Sequence, residues 1–271
     1  MNPAPPSELL RERLDALVAR ISDACATARL APDRVALLAV SKTFEAQAVL
    51  RAWQLGLRHF GENYVQEGVQ KRLEVEQALR LAGEDPDLHR PIWHLIGPLQ
   101  SNKTQVVASH FDWVHSVDRL KIAQRLAEQR PKGLEPLQIC LQVNLSGEDS
   151  KSGVSPEEVI GLAMEVARLA EAHGTLALRG LMTIPEPSED LQLIRARFQA
   201  LRALKRAINA ELGRTLDLIE PATLDVLSMG MSADLEQAIA ASDPDGVTWI
   251  RVGSALFGAR TPGDPAEIQQ T

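Results

Sequence analysis

Apolar residues along this chain recur with two different periods, and the two alternate regularly. From Pro6 to about Leu30, the residues Leu10, Leu14, Leu17, Val18, Ile21 and Cys25 fall at three- and four-residue steps, which predicts an amphipathic helix with Ser7 as its N-cap. Short apolar runs then appear at 35–40, 58–63, 93–97, 113–118, 138–144, 176–183, 224–230 and 249–253, giving eight strand candidates. Between them lie stretches of helical period at 44–55, 64–82, 101–109, 119–129, 156–173, 188–212 and 232–241. Gly83 and Pro86 mark the end of the second of these.

Strands separated by helices imply a parallel sheet with right-handed crossovers. Eight such units match the size and count of a single (β/α)8 TIM barrel, with the first helix as an addition, whereas a doubly wound sheet more often has five or six strands. No Gly/Ser-rich linker or fixed-period repeat divides the chain, so residues 1–271 read as one domain whose ends, 1–6 and 261–271, look loose. The chain's 271 residues are enough for a full core.

Composition narrows the function classes. Lys and Arg number 29 against 36 Asp and Glu, a formal charge of -7. No global field therefore attracts phosphate backbones, and nucleic acid is not an expected partner. No apolar run approaches the ~18 residues of a membrane span, and the N-terminus has no basic start with an apolar core, so the expected location is cytoplasmic. Cys25 and Cys140 are expected to be buried free thiols. The six histidines show no metal-ligand spacing, so no metal site is expected.

In a parallel barrel the reactive groups gather at the carboxyl ends of the strands. The first run ends in AVSKTF, which places Lys42 at the mouth. It is either a solvated lysine closing a strand or an amine whose pKa is lowered for Schiff-base chemistry. The second run ends in Glu62, Asn63 and Tyr64, polar groups equally explained by a turn. In WHLIG, alternation sets His94 and Ile96 on one face without deciding which face lines the barrel. The last two runs lead into Ser228-Met229-Gly230-Met231-Ser232 and Gly253-Ser254-Ala255-Leu256-Phe257-Gly258. Small residues before a helix start serve equally as tight turns or as a phosphate cradle of backbone N–H groups. Arg251 alternates against Ile250 and Val252, and it either points into the barrel toward an acceptor or packs outward on a helix.

Taken together and in order, AVSKTF, FGENYVQE, WHLIGPLQSNK, SGEDSKSGV, RGLMTIP, LSMGMSADLEQAI and RVGSALFGAR resemble the pyridoxal 5'-phosphate homeostasis protein family, from about Val35 to Arg260. The resemblance implies a barrel similar to the N-terminal domain of alanine racemase, with pyridoxal 5'-phosphate (PLP) held as an aldimine on Lys42. By motif, Asn63 borders the cofactor, Ser228, the Gly230 region, Gly253 and Ser254 take the phosphate, and Arg251 faces the pyridine nitrogen. Lys151 matches a family lysine near the cofactor entrance and has a loop lysine as its plainer reading. Two departures stand out: Phe44 sits where some relatives carry a second lysine, and the loop ASDPDGVT before the eighth strand is longer than expected.

An arginine at the ring nitrogen supplies no proton, and the single tyrosine, Tyr64, adjoins Asn63 with alternation turning the two apart. The expectation is therefore a carrier with no catalytic residues, which takes part in PLP supply and has PLP-dependent apoenzymes as candidate partners. Its expected state is a monomer or weak homodimer. The alternatives are a racemase-like PLP enzyme of low activity and a phosphate-binding barrel that uses Lys42 on a carbonyl sugar phosphate.

Overall fold

The computed structural model describes residues 1–85, 89–146, 152–215 and 223–259. Eight parallel strands close in sequence order: β1 (Val35–Val40), β2 (His59–Glu62), β3 (Ile92–Leu95), β4 (Trp113–Val117), β5 (Leu137–Gln142), β6 (Leu176–Met182), β7 (Val226–Ser228) and β8 (Val247–Val252). β1 pairs with both β2 and β8, so the sheet has no free edge. Every apolar run of the sequence becomes a strand, and the (β/α)8 barrel is the fold.

The first helix, α1 (Ser7–Ala28), is followed by α2 (Ala46–Gln54), α3 (Val65–Leu81), α4 (Thr104–His110), α5 (Leu120–Gln129), α6 (Val159–His173), α7 (Leu191–Thr215), α8 (Leu235–Ala240) and α9 (Ser254–Phe257). Ser7 is not the N-cap that its position predicts. Pro6 takes that place with φ −53°, and its carbonyl accepts the N–H of Leu10 at 3.0 Å, while no side chain caps the end. A proline here gives up an N–H that the first turn does not need. No helix among the described residues is long and apolar enough to cross a membrane.

Period-two alternation divides the strands into two apolar layers. One face packs under the helices and includes Phe60, Trp93, Val114, Ile139, Leu227 and Ile250. The other fills the lumen with Leu38, Val40, Ile96, Trp113, Cys140, Met182, Val226 and Trp249. Both cysteines are free and buried, and burial raises both thiol pKa values. Residues 1–6, which look loose in the sequence, include Asn2, buried and bridged to Phe44. Residues 260–271 lie outside the described residues.

The long loop before β8 is clamped by charge. Asp243 bonds Lys205 at 2.9 Å and Arg206 at 3.0 Å, and both Lys205 and Asp243 are buried. Burial alone pushes the Asp243 carboxyl up, but its bonds to Arg206 and Lys205 outweigh that and bring it to about 2. Val247 then donates to the Asp225 carbonyl at 2.7 Å, so β8 enters the sheet in register despite the added length. Asp243→Asn leaves the Lys205 ammonium buried without its counter-charge and is expected to cost about 3 kcal/mol of stability. Denaturant unfolding at neutral pH checks this, and a loss below about 0.5 kcal/mol would show the clamp to be ornamental.

Candidate functional site

The β1 exit is a strained turn held from three sides. Thr43 adopts φ +70°, a left-handed conformation that costs a threonine roughly 1 kcal/mol or more. Its N–H donates to Glu67 Oε1 at 2.5 Å and its carbonyl accepts the Asn2 N–H at 2.6 Å, while Phe44 N–H closes the turn on the Ser41 carbonyl at 3.1 Å. Beneath the turn, the fully buried Lys71 ammonium of α3 donates to the Ser41 carbonyl at 2.7 Å, Glu62 Oε1 at 2.6 Å and Glu67 Oε1 at 2.9 Å. Ser41 Oγ donates to the same Glu62 oxygen at 2.7 Å. Burial raises the Glu62 pKa, and Lys71 opposes that rise. Lys42 rides on this turn, half-buried, at the barrel mouth.

Two further contacts tie the rim together. Phe44 packs at 5.3 Å, tilted, on Phe257 of α9, so its ring joins the β1 turn to the β8 exit. From α1, Arg20 grips Glu236 at 2.5 and 2.7 Å and the Ser232 carbonyl at 2.8 Å, which fixes the loop after β7. In that loop Gly230 has φ +85°, and a Cβ there would press on Ala238 and Ile250. Asp234 accepts the Met231 N–H at 2.6 Å, and burial raises its pKa. At the β8 exit Gly253 precedes α9, whose first residue is Ser254. Asn63 lies half-buried after β2, with its backbone so close to Gly97 that a side chain at 97 would collide with it.

Arg251 points inward. Fully buried, it donates to Ser228 Oγ at 2.9 Å and to the Thr183 carbonyl at 2.9 Å, and burial lowers its pKa to about 10. It therefore stays charged at neutral pH on two neutral acceptors. Below it the lumen holds a row of histidines: His59 Nδ1 lies 2.9 Å from His94 Nε2, His94 Nδ1 lies 2.9 Å from His115 Nε2, and His115 Nδ1 lies 2.7 Å from Ser228 Oγ. His94 stacks on Trp113 at 5.4 Å, and His59 packs on Trp249 at 4.5 Å. Burial lowers all three pKa values, His59 to about 4 and His115 to about 3.

The structure thus gathers Lys42, Asn63, Ser228, Gly230, Arg251, Gly253 and Ser254 at the exits of β1, β2, β7 and β8. The Ser228 hydroxyl sits deeper than the sequence conveys, bonded to Arg251 and His115. Lys151 lies outside the described residues. Sequence reasoning weighed His94 alone and missed the row, although assigning β2, β3 and β4 as neighbours with alternation would have brought the three rings to one face. It also missed Lys71, which reads as one more charge on a helix. Away from the rim, a cavity of about 300 Å³ lined in part by Arg72, Arg90, Asp112 and Arg130 lies near the starts of β4 and β5, and these three arginines bond protein acceptors.

Residues 13–261 match the family model described as the alanine racemase N-terminal domain. A pyridoxal phosphate homeostasis protein of Pseudomonas aeruginosa is 51% identical over 257 residues, which cover 95% of this chain and 98% of the relative. The solved structure of PipY of Synechococcus elongatus PCC7942 with PLP bound is 36% identical, with a TM-score of 0.69, covering 88% of this chain and 100% of that one. Alanine racemase of Clostridium difficile 630, at 13% identity, shares the fold over 95% of this chain and 58% of its own, with a TM-score of 0.62.

The lumen's titration is open to measurement. A histidine kept neutral in the folded state binds its proton only after unfolding. Stability is therefore complete above the ordinary pKa of 6.5 and falls as pH drops below it, by about 1.4 kcal/mol per pH unit per ring at most, until the folded pKa near 4 is reached. Chemical denaturation at pH 7, 6 and 5 is expected to show this slope, reduced in His59→Phe. Equal stability at pH 7 and 5 would place the rings in a wetter environment than the lumen described here.

Proposed function

The chain belongs to the pyridoxal phosphate homeostasis protein family, and from that membership we propose that it binds PLP at the strand-exit rim and keeps it available to PLP-dependent enzymes. The observation that carries this reading is Arg251, a buried guanidinium whose bonds to Ser228 and Thr183 use two of its five N–H donors. Such a group fits an unprotonated pyridine nitrogen, which accepts a hydrogen bond. The Asp234 carboxylate adds an opposing charge to Arg251 and itself accepts the Met231 N–H.

The other residues fit the rest of the cofactor. Lys42, on the turn after β1, the strand that pairs with β8, offers an amine that would hold the cofactor through its aldehyde. Gly230, Gly253 and Ser254 place backbone N–H groups and small side chains at adjacent strand exits, where a phosphate gains charge-assisted hydrogen bonds of roughly 1.5–3 kcal/mol each. Asn63, half-buried after β2, would border the ring. Bound there, PLP supplies an aldehyde open to exchange with other amines. Phe44 leaves no second lysine two residues on, so release from Lys42 depends on an incoming amine or on water.

The arrangement favours holding over turnover. Facing a ring nitrogen, Arg251 would donate a hydrogen bond without yielding a proton, which would leave the ring a poor electron sink. Efficient inversion also needs a base on each face, and the single tyrosine, Tyr64, is the N-cap residue of α3 after β2.

Two measurements test the reading. Borohydride reduction followed by peptide mapping is expected to place a stoichiometric pyridoxyl group on Lys42, and a stoichiometric adduct on Lys151 with Lys42 unmodified overturns the assignment. In deuterated buffer, α-proton exchange of L-alanine by the loaded protein is expected to stay well below ~1 s⁻¹, the low end of ordinary enzyme rates. Faster exchange with accumulation of D-alanine would establish a racemase instead.

A further inference from the structure

The three lumen histidines obey a proton count that has consequences at the mouth. Each is neutral at pH 7, so each ring carries one N–H and one lone pair. Each contact in the row, His59 Nδ1 to His94 Nε2, His94 Nδ1 to His115 Nε2 and His115 Nδ1 to Ser228 Oγ, needs one donor and one acceptor. Choosing the donor at any contact fixes all the others. Two arrangements satisfy the whole row. In the first, Ser228 O–H donates to His115 and every ring carries its proton on Nε2. In the second, every ring carries its proton on Nδ1, His115 donates to Ser228 Oγ, and the Ser228 hydroxyl proton is released from the lumen. Arg251 donates to the same oxygen in both.

The charges at the two ends select the first arrangement when no anion is present. Asp112 acts on His59 at the barrel floor, and Arg251 acts on His115 at the other end. Protons on Nε2 turn the positive end of each ring toward the carboxylate and the lone pairs toward the guanidinium. They also give Ser228 O–H an acceptor, whereas the second arrangement leaves that proton without a partner among the described residues. A phosphate at the β7 and β8 exits reverses the balance, because it is an anionic acceptor beside Ser228. His94 stacks on Trp113 and His59 packs on Trp249, which hold two rings of the row in place.

We propose that His59, His94 and His115 are positioning residues that act as one two-state tautomer row: it holds the Ser228 hydroxyl inward in the free protein and turns it outward as a donor when a phosphate-bearing ligand binds. This rests on the binding reading above for where the phosphate lies. The row moves no net proton, so it orients the site without acid–base chemistry.

The test is ¹⁵N-histidine NMR of the full chain at pH 7.5, in which ring nitrogen shifts report each tautomer. The free protein is expected to show all three rings protonated on Nε2, and saturation with PLP is expected to convert all three to Nδ1. His59→Phe removes the floor acceptor. The first arrangement then buries an unpaired His94 Nε2–H, just as the second leaves the Ser228 proton unpaired, so the gap between the two narrows: His94 and His115 are expected to show a measurable Nδ1 fraction even without ligand, with PLP binding about threefold tighter because the switching cost is smaller. Mixed tautomers in the free wild-type protein, or His115 unchanged in His59→Phe, overturn the row without any reference to PLP. A PLP absorbance band with unchanged rings overturns the coupling and leaves the binding reading intact. Absence of that band overturns both the binding reading and the coupling.

Discussion

A guanidinium shut inside a barrel must be given acceptors, and much of the upper lumen of this protein answers that requirement. Arg251 pairs in register with Leu38 of β1, and burial lowers its pKa to about 10. Burying a charge on neutral partners is expensive unless it is well hydrogen-bonded. Ser228 and the Thr183 carbonyl supply two bonds from β7 and the β6 exit, and Asp234 supplies a carboxylate field from the turn before α8. Ser228 is in turn bonded by His115, and the polar row then continues away from the mouth through His94 to His59. An alternative lumen of aliphatic side chains would pack well but would leave the arginine without its oxygen.

The rim is stiffened by a second buried charge, Lys71, whose role differs. A buried ion pair adds little net stability compared with apolar residues of the same volume, since desolvation offsets the attraction. What it provides is a unique geometry. Lys71 bonds the Ser41 carbonyl and two carboxylates, one of which also receives Ser41 Oγ and the other the Thr43 N–H. The left-handed Thr43 is thereby over-determined, and the lysine between Ser41 and Thr43 leaves the backbone in a fixed direction. Asn2 adds a strap from the N-terminal segment, and α1 fastens the loop after β7 through Arg20. The additional helix of the sequence thus belongs to the site's support.

How much of this was legible in the sequence follows from the range of the interactions involved. Strand period and strand count depend on neighbouring residues, and VALLAV became β1 without a shift. The motif residues were legible because the strand ends alone carry them to one rim. The supporting contacts were not. Lys71 meets Ser41 across 30 positions and Ser228 meets His115 across 113, so neither pair leaves a local pattern. Arg251 was undecided between two faces until β7 and the β6 exit offered it acceptors. The Ser7 cap failed for a local reason, because Pro6 already supplied the helix start.

The chemistry of the rim follows from which protons can move. Arg251 remains charged, the three histidines remain neutral, and the Cys140 thiol in the same lumen is pushed above its ordinary range by burial. None of these groups changes its proton count near neutral pH. The row of rings can exchange one polarity for the other, but each ring that gains a proton on one nitrogen gives one up on the other. An environment of this kind orients hydrogen bonds toward a ligand without delivering an acid or a base to it. Turnover on a carbonyl cofactor requires such delivery, whereas retention, the role proposed above, requires only donors held in place, for which the arginine, the serine and the small strand-exit residues are the candidates.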